Sequence, residues 1–167
     1  MPGRDTPNRA WAGYMFGGIA RHPSPTFNTS LHTMKPILIG ILTYTVLTIV
    51  MGVVWNLVLF QDTYTAISGP GRRASPIMPL GVSSMLVEGL ALSILFSRFF
   101  QGQSSIREGI TLAMLVGMFS IGYAALVVPA KFAVAPVWKY VALEVVFGVL
   151  HFGAAGVLFS YISGGDS

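Results

Sequence analysis

The chain has 167 residues, of which 53% are hydrophobic and only 10% charged. Soluble domains average about 25% charged residues, so too little charge is present to coat a water-facing surface. The formal net charge is +4, but the basic residues stand singly apart from Arg72-Arg73, which excludes the basic face of a nucleic-acid binder. No cysteine is present, so disulfides, thiolate metal sites and thiol nucleophiles are excluded.

Residues 1–35 come first and read as a poorly structured N-terminal tail. Arg4 and Arg9 precede a short apolar patch at 10–20, and "GIA" at 18–20 has the outline of a small-residue cleavage site. Three readings stand for this segment: a signal peptide, an extension upstream of a start at Met34, or a flexible or surface-lying tail. The third is favoured, since no helix-length amphipathic pattern occurs. His22 and His32 fall in this tail and are expected to be solvated.

Four apolar stretches follow within a domain over 36–163: 36–60, 77–97, 109–128 and 140–162. Each has about the 20 residues a helix needs to cross hydrocarbon. A helix also satisfies its own backbone bonds, which lipid demands. Between them, "QDTYTAISGPGRRASP" at 61–76 and "RFFQGQSSIRE" at 98–108 read as polar connections, and "PAKFAVAPVWK" at 129–139 carries two prolines and two lysines. Trp138, Tyr140, Arg72, Arg73, Lys131 and Lys139 are expected to anchor the interface. The fold expected is all-α, an integral-membrane up-down four-helix bundle. Four spans put both termini on one side. Lys and Arg near the spans balance across the two faces, and Arg4 and Arg9 tip the orientation towards cytoplasmic termini.

Ionisable groups inside spans are costly and call for an explanation. "EVVFGVLH" carries Glu144 and His151, with Gly148 and Ala155 on the same helical face. Gly81, Ser84, Glu88 and Ala91 form a second small-and-polar stripe. Thr45, Thr48, Gly52 and Trp55 form one in the first span, and Ala113, Gly117, Ser120 and Ala124 one in the third. Small residues let membrane helices approach closely, and hydroxyls bond across the gap. Counting from the span ends predicts two layers. The deep one holds Glu88, His151 and Thr48, with Glu88 pairing with His151. The shallow one holds Glu144, Asn56 and Tyr123, with Lys139 or Lys131 as further members.

"GVVWNLVLFQDTY", "PLGVSSMLVEGLALSILFSRFF" and "REGITLAMLVGMFSIGYAALVVPAKF" resemble segments of small bacterial four-span membrane proteins of unknown function. The resemblance covers about 34–163. It implies a bacterial inner-membrane setting and supplies no activity.

G-x-S-x-G, P-loop and G-x-G-x-x-G patterns are all missing. No E-x-x-H or H-x-x-x-H spacing marks a metal site, so no metal is expected, and the cofactor is left unassigned. The first functional reading is an accessory or structural component of a membrane assembly, contacting lipid and associating with itself or a larger complex, and more a non-enzyme than an enzyme. The second is a carrier or channel for a small solute or proton using Glu88, His151 and Glu144. The third is a membrane enzyme acting on a lipid or quinone at the shallow layer.

Overall fold

The computed structural model describes residues 31–67, 75–100 and 105–164. Helix α1 spans Leu31–Val53 and continues through a π-helical segment, Val54–Leu59. A short helix, α2, covers Gln61–Ile67. Helix α3 runs Met78–Phe99. Helix α4 runs Ile106–Gly122, passes through a π-helical turn at Tyr123–Val127 and ends in a last α-turn, Val128–Lys131. Helix α5 spans Val137–Gly164.

Local chemistry explains several boundaries. Pro79 sits in the first turn of α3, where a missing N–H costs nothing. Ser105 caps α4 in a reciprocal box: its hydroxyl accepts from the Glu108 amide at 3.3 Å, and the Glu108 carboxylate accepts from the Ser105 amide at 3.0 Å. Pro129 cannot donate to a carbonyl one turn back. The preceding turn widens accordingly, and the Val128 amide reaches the Tyr123 carbonyl five residues earlier.

Four segments are long and apolar enough to cross a membrane: Met34–Leu59, Met78–Phe99, Ile106–Lys131 and Val137–Ile162. Their outward faces are as apolar as their inward ones. Leu42, Val58, Leu80, Phe119 and Leu126 are all exposed. A helix that is hydrophobic all round belongs in lipid or in a large core, and four such helices around one small core match the first. The architecture is an all-α, multi-pass membrane bundle. The tail expected over 1–35 lies outside the described residues up to position 30. From Leu31 onward the chain is already helical.

The connection at 61–76 needs correcting. Its first part is α2, and Tyr64 and Ile67 of that helix are buried. The two apolar side chains sit three residues apart, so one face of a two-turn helix docks inward while Gln61, Asp62 and Thr65 stay exposed. The Ala135 amide donates to the Ile67 carbonyl at 3.2 Å, which fastens the α4–α5 connection to α2.

The core joins Tyr44 of α1, Leu92 and Phe96 of α3, Ala113 of α4, and Phe152, Ala155 and Phe159 of α5. The most extensive packing is α1 on α3 and α4 on α5, with α1 against α5 between the pairs; α3 meets α4 only lightly. Backbones come closest where α4 crosses α5. A Cβ added at Gly156 would lie 2.6 Å from the Ile110 Cα and 2.7 Å from the Gly109 carbonyl oxygen. Lipid offers no hydrophobic drive between helices, so this close packing carries much of the association.

Gly156→Ala is therefore expected to force α4 and α5 apart, at a cost of about 1–3 kcal/mol. Gly52→Ala, which meets nothing within 4 Å, is the matched control. Thermal unfolding in detergent checks this. At roughly 2–4 °C per kcal/mol, Gly156→Ala should melt several degrees lower and Gly52→Ala near wild type.

Candidate functional site

Glu88 lies at the middle of its span, Met78–Phe99. Its carboxylate accepts from the Tyr44 hydroxyl at 2.8 Å and from the Ser120 hydroxyl at 2.8 Å. Glu88 of α3 is thus tied to both α1 and α4. On the other side of Tyr44, the Thr48 hydroxyl lies 2.9 Å from His151 Nε2 and 2.8 Å from the Tyr44 backbone carbonyl. Thr48 has one hydrogen to give. When it goes to the Tyr44 carbonyl, the Thr48 oxygen accepts from His151 Nε2, which fixes the hydrogen on that nitrogen.

Aromatic rings enclose this layer. His151 is only 4% exposed. It stacks on Phe147 at a centroid distance of 5.5 Å, and Tyr44 and Phe152 stand at 5.2 and 5.1 Å. The deep layer therefore contains Glu88, His151 and Thr48 together. The expected Glu88–His151 bond is not made. Tyr44 stands between them, its hydroxyl on Glu88 and its ring against His151.

A second group occupies the end of the bundle where α1 stops and α5 begins. The Trp55 indole N–H donates to the Tyr64 hydroxyl at 3.2 Å, and Tyr64 donates to the Glu144 carboxylate at 3.0 Å. Burial, and next the neighbouring Glu144 charge, pushes the Tyr64 hydroxyl well above the usual phenol range. Tyr64 consequently remains a donor, and the series runs in one direction from Trp55 to Glu144.

This group differs from the shallow layer expected. Asn56 is half-buried and donates to the Gly52 carbonyl of its own helix at 3.0 Å. Its neighbour Trp55 takes the inward direction, about 100° away around the helix. Tyr123 is 60% exposed and points out of the bundle. Depth alone puts it in the layer, whereas helical phase turns Gly117 and the half-buried Ser120 inward, and in the π-helical turn the buried residue is Ala125 in place of the expected Ala124. Lys131 and Lys139 are exposed and do not join Glu144. Among the expected anchors, Trp138 is exposed and Tyr140 half-buried, while Arg72 and Arg73 lie outside the described residues.

The small-residue stripes also sort by phase. On α5, Gly148, His151 and Ala155 are buried and Glu144 half-buried. On α3, Gly81, Ser84 and Ala91 are exposed, and the packed face is Gly89, Leu92, Ser93 and Phe96. Glu88 sits at the edge of that face.

Tyr44 and Tyr64 are the participants that sequence reasoning missed. Tyr44 precedes Thr48 by four residues and so shares its face, but the first-span stripe takes Thr45 at that turn instead. Tyr64 lies in a connection whose Gly, Pro and charged residues mask a two-turn helix. Among the described residues, no group of three or more His, Asp and Glu side chains is arranged to hold a metal ion.

Comparison with known proteins finds no matching family model, no matching curated protein and no matching solved structure.

Thr48→Val keeps the side-chain shape and removes the hydroxyl that His151 meets. It is expected to lower the melting temperature by a few degrees, in line with the roughly 0.6–1.7 kcal/mol measured for hydrogen bonds between membrane helices. Thr45→Val is the control, because the Thr45 hydroxyl bonds the Ile41 carbonyl of its own helix. Thermal melts of the two variants side by side check the difference.

Proposed function

We propose that the chain is a structural or accessory component of a membrane assembly, and that its buried polar residues join helices rather than handle a substrate. One observation carries this reading. Among the described residues, every buried side-chain nitrogen and oxygen has a hydrogen-bond partner. The donors and acceptors of the deep layer are used on one another, between helices. A carrier site needs polar groups free to receive a solute. An acyl-transfer or hydrolytic site needs a nucleophile beside a base. Thr48, the hydroxyl beside His151, is engaged with the Tyr44 carbonyl.

The setting we propose is the bacterial inner membrane, which the resemblance to small four-span bacterial proteins supports. Termini on the cytoplasmic side agree with Arg4, Arg9 and Arg21 in the N-terminal segment. The apolar outward faces leave room for a second copy or for larger subunits.

Native mass spectrometry of gently solubilised inner-membrane protein tests this, with wild type beside Glu88→Gln. Other subunits are expected to comigrate with both forms. A bare monomer or dimer holding a small solute or metal that Glu88→Gln loses would contradict the reading and favour a carrier.

A further inference from the structure

A groove of about 260 Å³ opens on the outside of the bundle at the end where α2 docks. Trp55, Phe60 and Thr63 form one wall, and Lys139, Ala142, Leu143 and Val146 of α5 form the other. The lining is graded along the membrane normal. Lys139 lies two residues inside the start of its span at Val137, and Thr63 belongs to α2 beyond the end of the first span at Leu59. Both residues stand at the water-facing end, where their carbon stems join an almost wholly apolar lining and their polar ends lie at the rim. From Lys139 to Val146 is seven residues, roughly 10 Å of helix, so the apolar end lies at the depth of acyl chains.

Trp55 forms a rigid part of the wall. It packs against Phe60 and Phe147 at centroid distances of 4.5 and 5.6 Å, and its N–H is held by Tyr64. The groove is thus buttressed from behind by the same series that satisfies Glu144.

The charges at this end decide which lipid fits. Lys139 is exposed and makes no ion pair among the described residues. It also sits in the first turn of α5, where the helix N-terminus adds positive potential. Glu144 is turned inward to Tyr64. Asp62 is an exposed carboxylate in the first turn of α2 and is not part of the lining. Lys131 is a second exposed cation on this face, also outside the groove.

We propose that this groove holds an acyl chain of an anionic phospholipid, with the lipid phosphate at the rim beside Lys139. The apolar wall takes the chain, and the cation at the mouth selects the headgroup. A zwitterionic lipid fits the wall equally well but brings its own cation towards Lys139.

Full-length protein is reconstituted in nanodiscs of equal phosphatidylglycerol and phosphatidylcholine, released, and its retained lipid counted by native mass spectrometry. One basic side chain near a membrane surface contributes about fivefold in preference for anionic lipid. Wild type should therefore retain phosphatidylglycerol over phosphatidylcholine by about that factor. Lys139→Gln should bring the two lipids to parity, while Lys131→Gln keeps the preference. Ala142→Phe, which fills the groove, should lower retention of both. Lys139 is exposed, so its variant should keep the wild-type circular dichroism spectrum. Equal retention of the two lipids by wild type, an unchanged preference in Lys139→Gln, or an equal loss in Lys131→Gln would each overturn the proposal.

Discussion

The bundle depends on one constraint: a polar group in hydrocarbon has no water to bond, so each must find its partner inside the protein. Glu88 is the severest case, a carboxyl at the middle of a span. It is met by two hydroxyls from two other helices, Tyr44 and Ser120. Thr48 and His151 extend the layer to α5. All four spans therefore contribute to one polar level. Each bond contributes little, because a helix loose in the membrane also finds partners. What the layer adds is direction. Helices surrounded by lipid slide and rotate with little penalty from apolar contacts alone, and these pairings fix both depth and phase.

The weight of the layer is uneven. Close packing already holds α4 to α5, where Gly156 lies against the backbone at Ile110, and α1 to α3, where a Cβ at Gly89 would sit 3.3 Å from Ile41. The α3–α4 seam has little such packing. It is crossed at mid-depth by the Ser120–Glu88 bond, so that bond matters more there than it would inside a tight pair. The end carrying α2 has a separate arrangement. Trp55, Tyr64 and Glu144 satisfy one another behind an apolar groove with Lys139 at its rim. One end of the bundle is thereby built for contact with the membrane surface, while its middle is closed on itself.

The sequence made the spans legible because length and hydropathy suffice for them: the segments at 36–60, 77–97, 109–128 and 140–162 match the four membrane-length segments to within three residues at each end. The inward face of α5 was also readable, since Gly148, His151 and Ala155 repeat at helical spacing. Partners were harder. Depth can be counted from loops, and it put Glu88 level with His151. Phase between helices cannot be counted, and it decides which side chain stands between two others. Tyr44 therefore displaced the expected Glu88–His151 pair, and Tyr123 turned outward. Tyr64 was missed for another reason. A two-turn helix with Tyr64 and Ile67 as its buried residues carries too short a pattern to stand out from a loop.

The most direct test of the account is a double-mutant cycle on Ser120→Ala and Glu88→Ala, followed by reversible unfolding in detergent or bicelles. If the mid-depth layer holds α3 to α4, the two substitutions will be non-additive, with a coupling of about 0.6–1.7 kcal/mol. Additive losses would show that Ser120 and Glu88 do not act on each other, and that packing alone positions these helices.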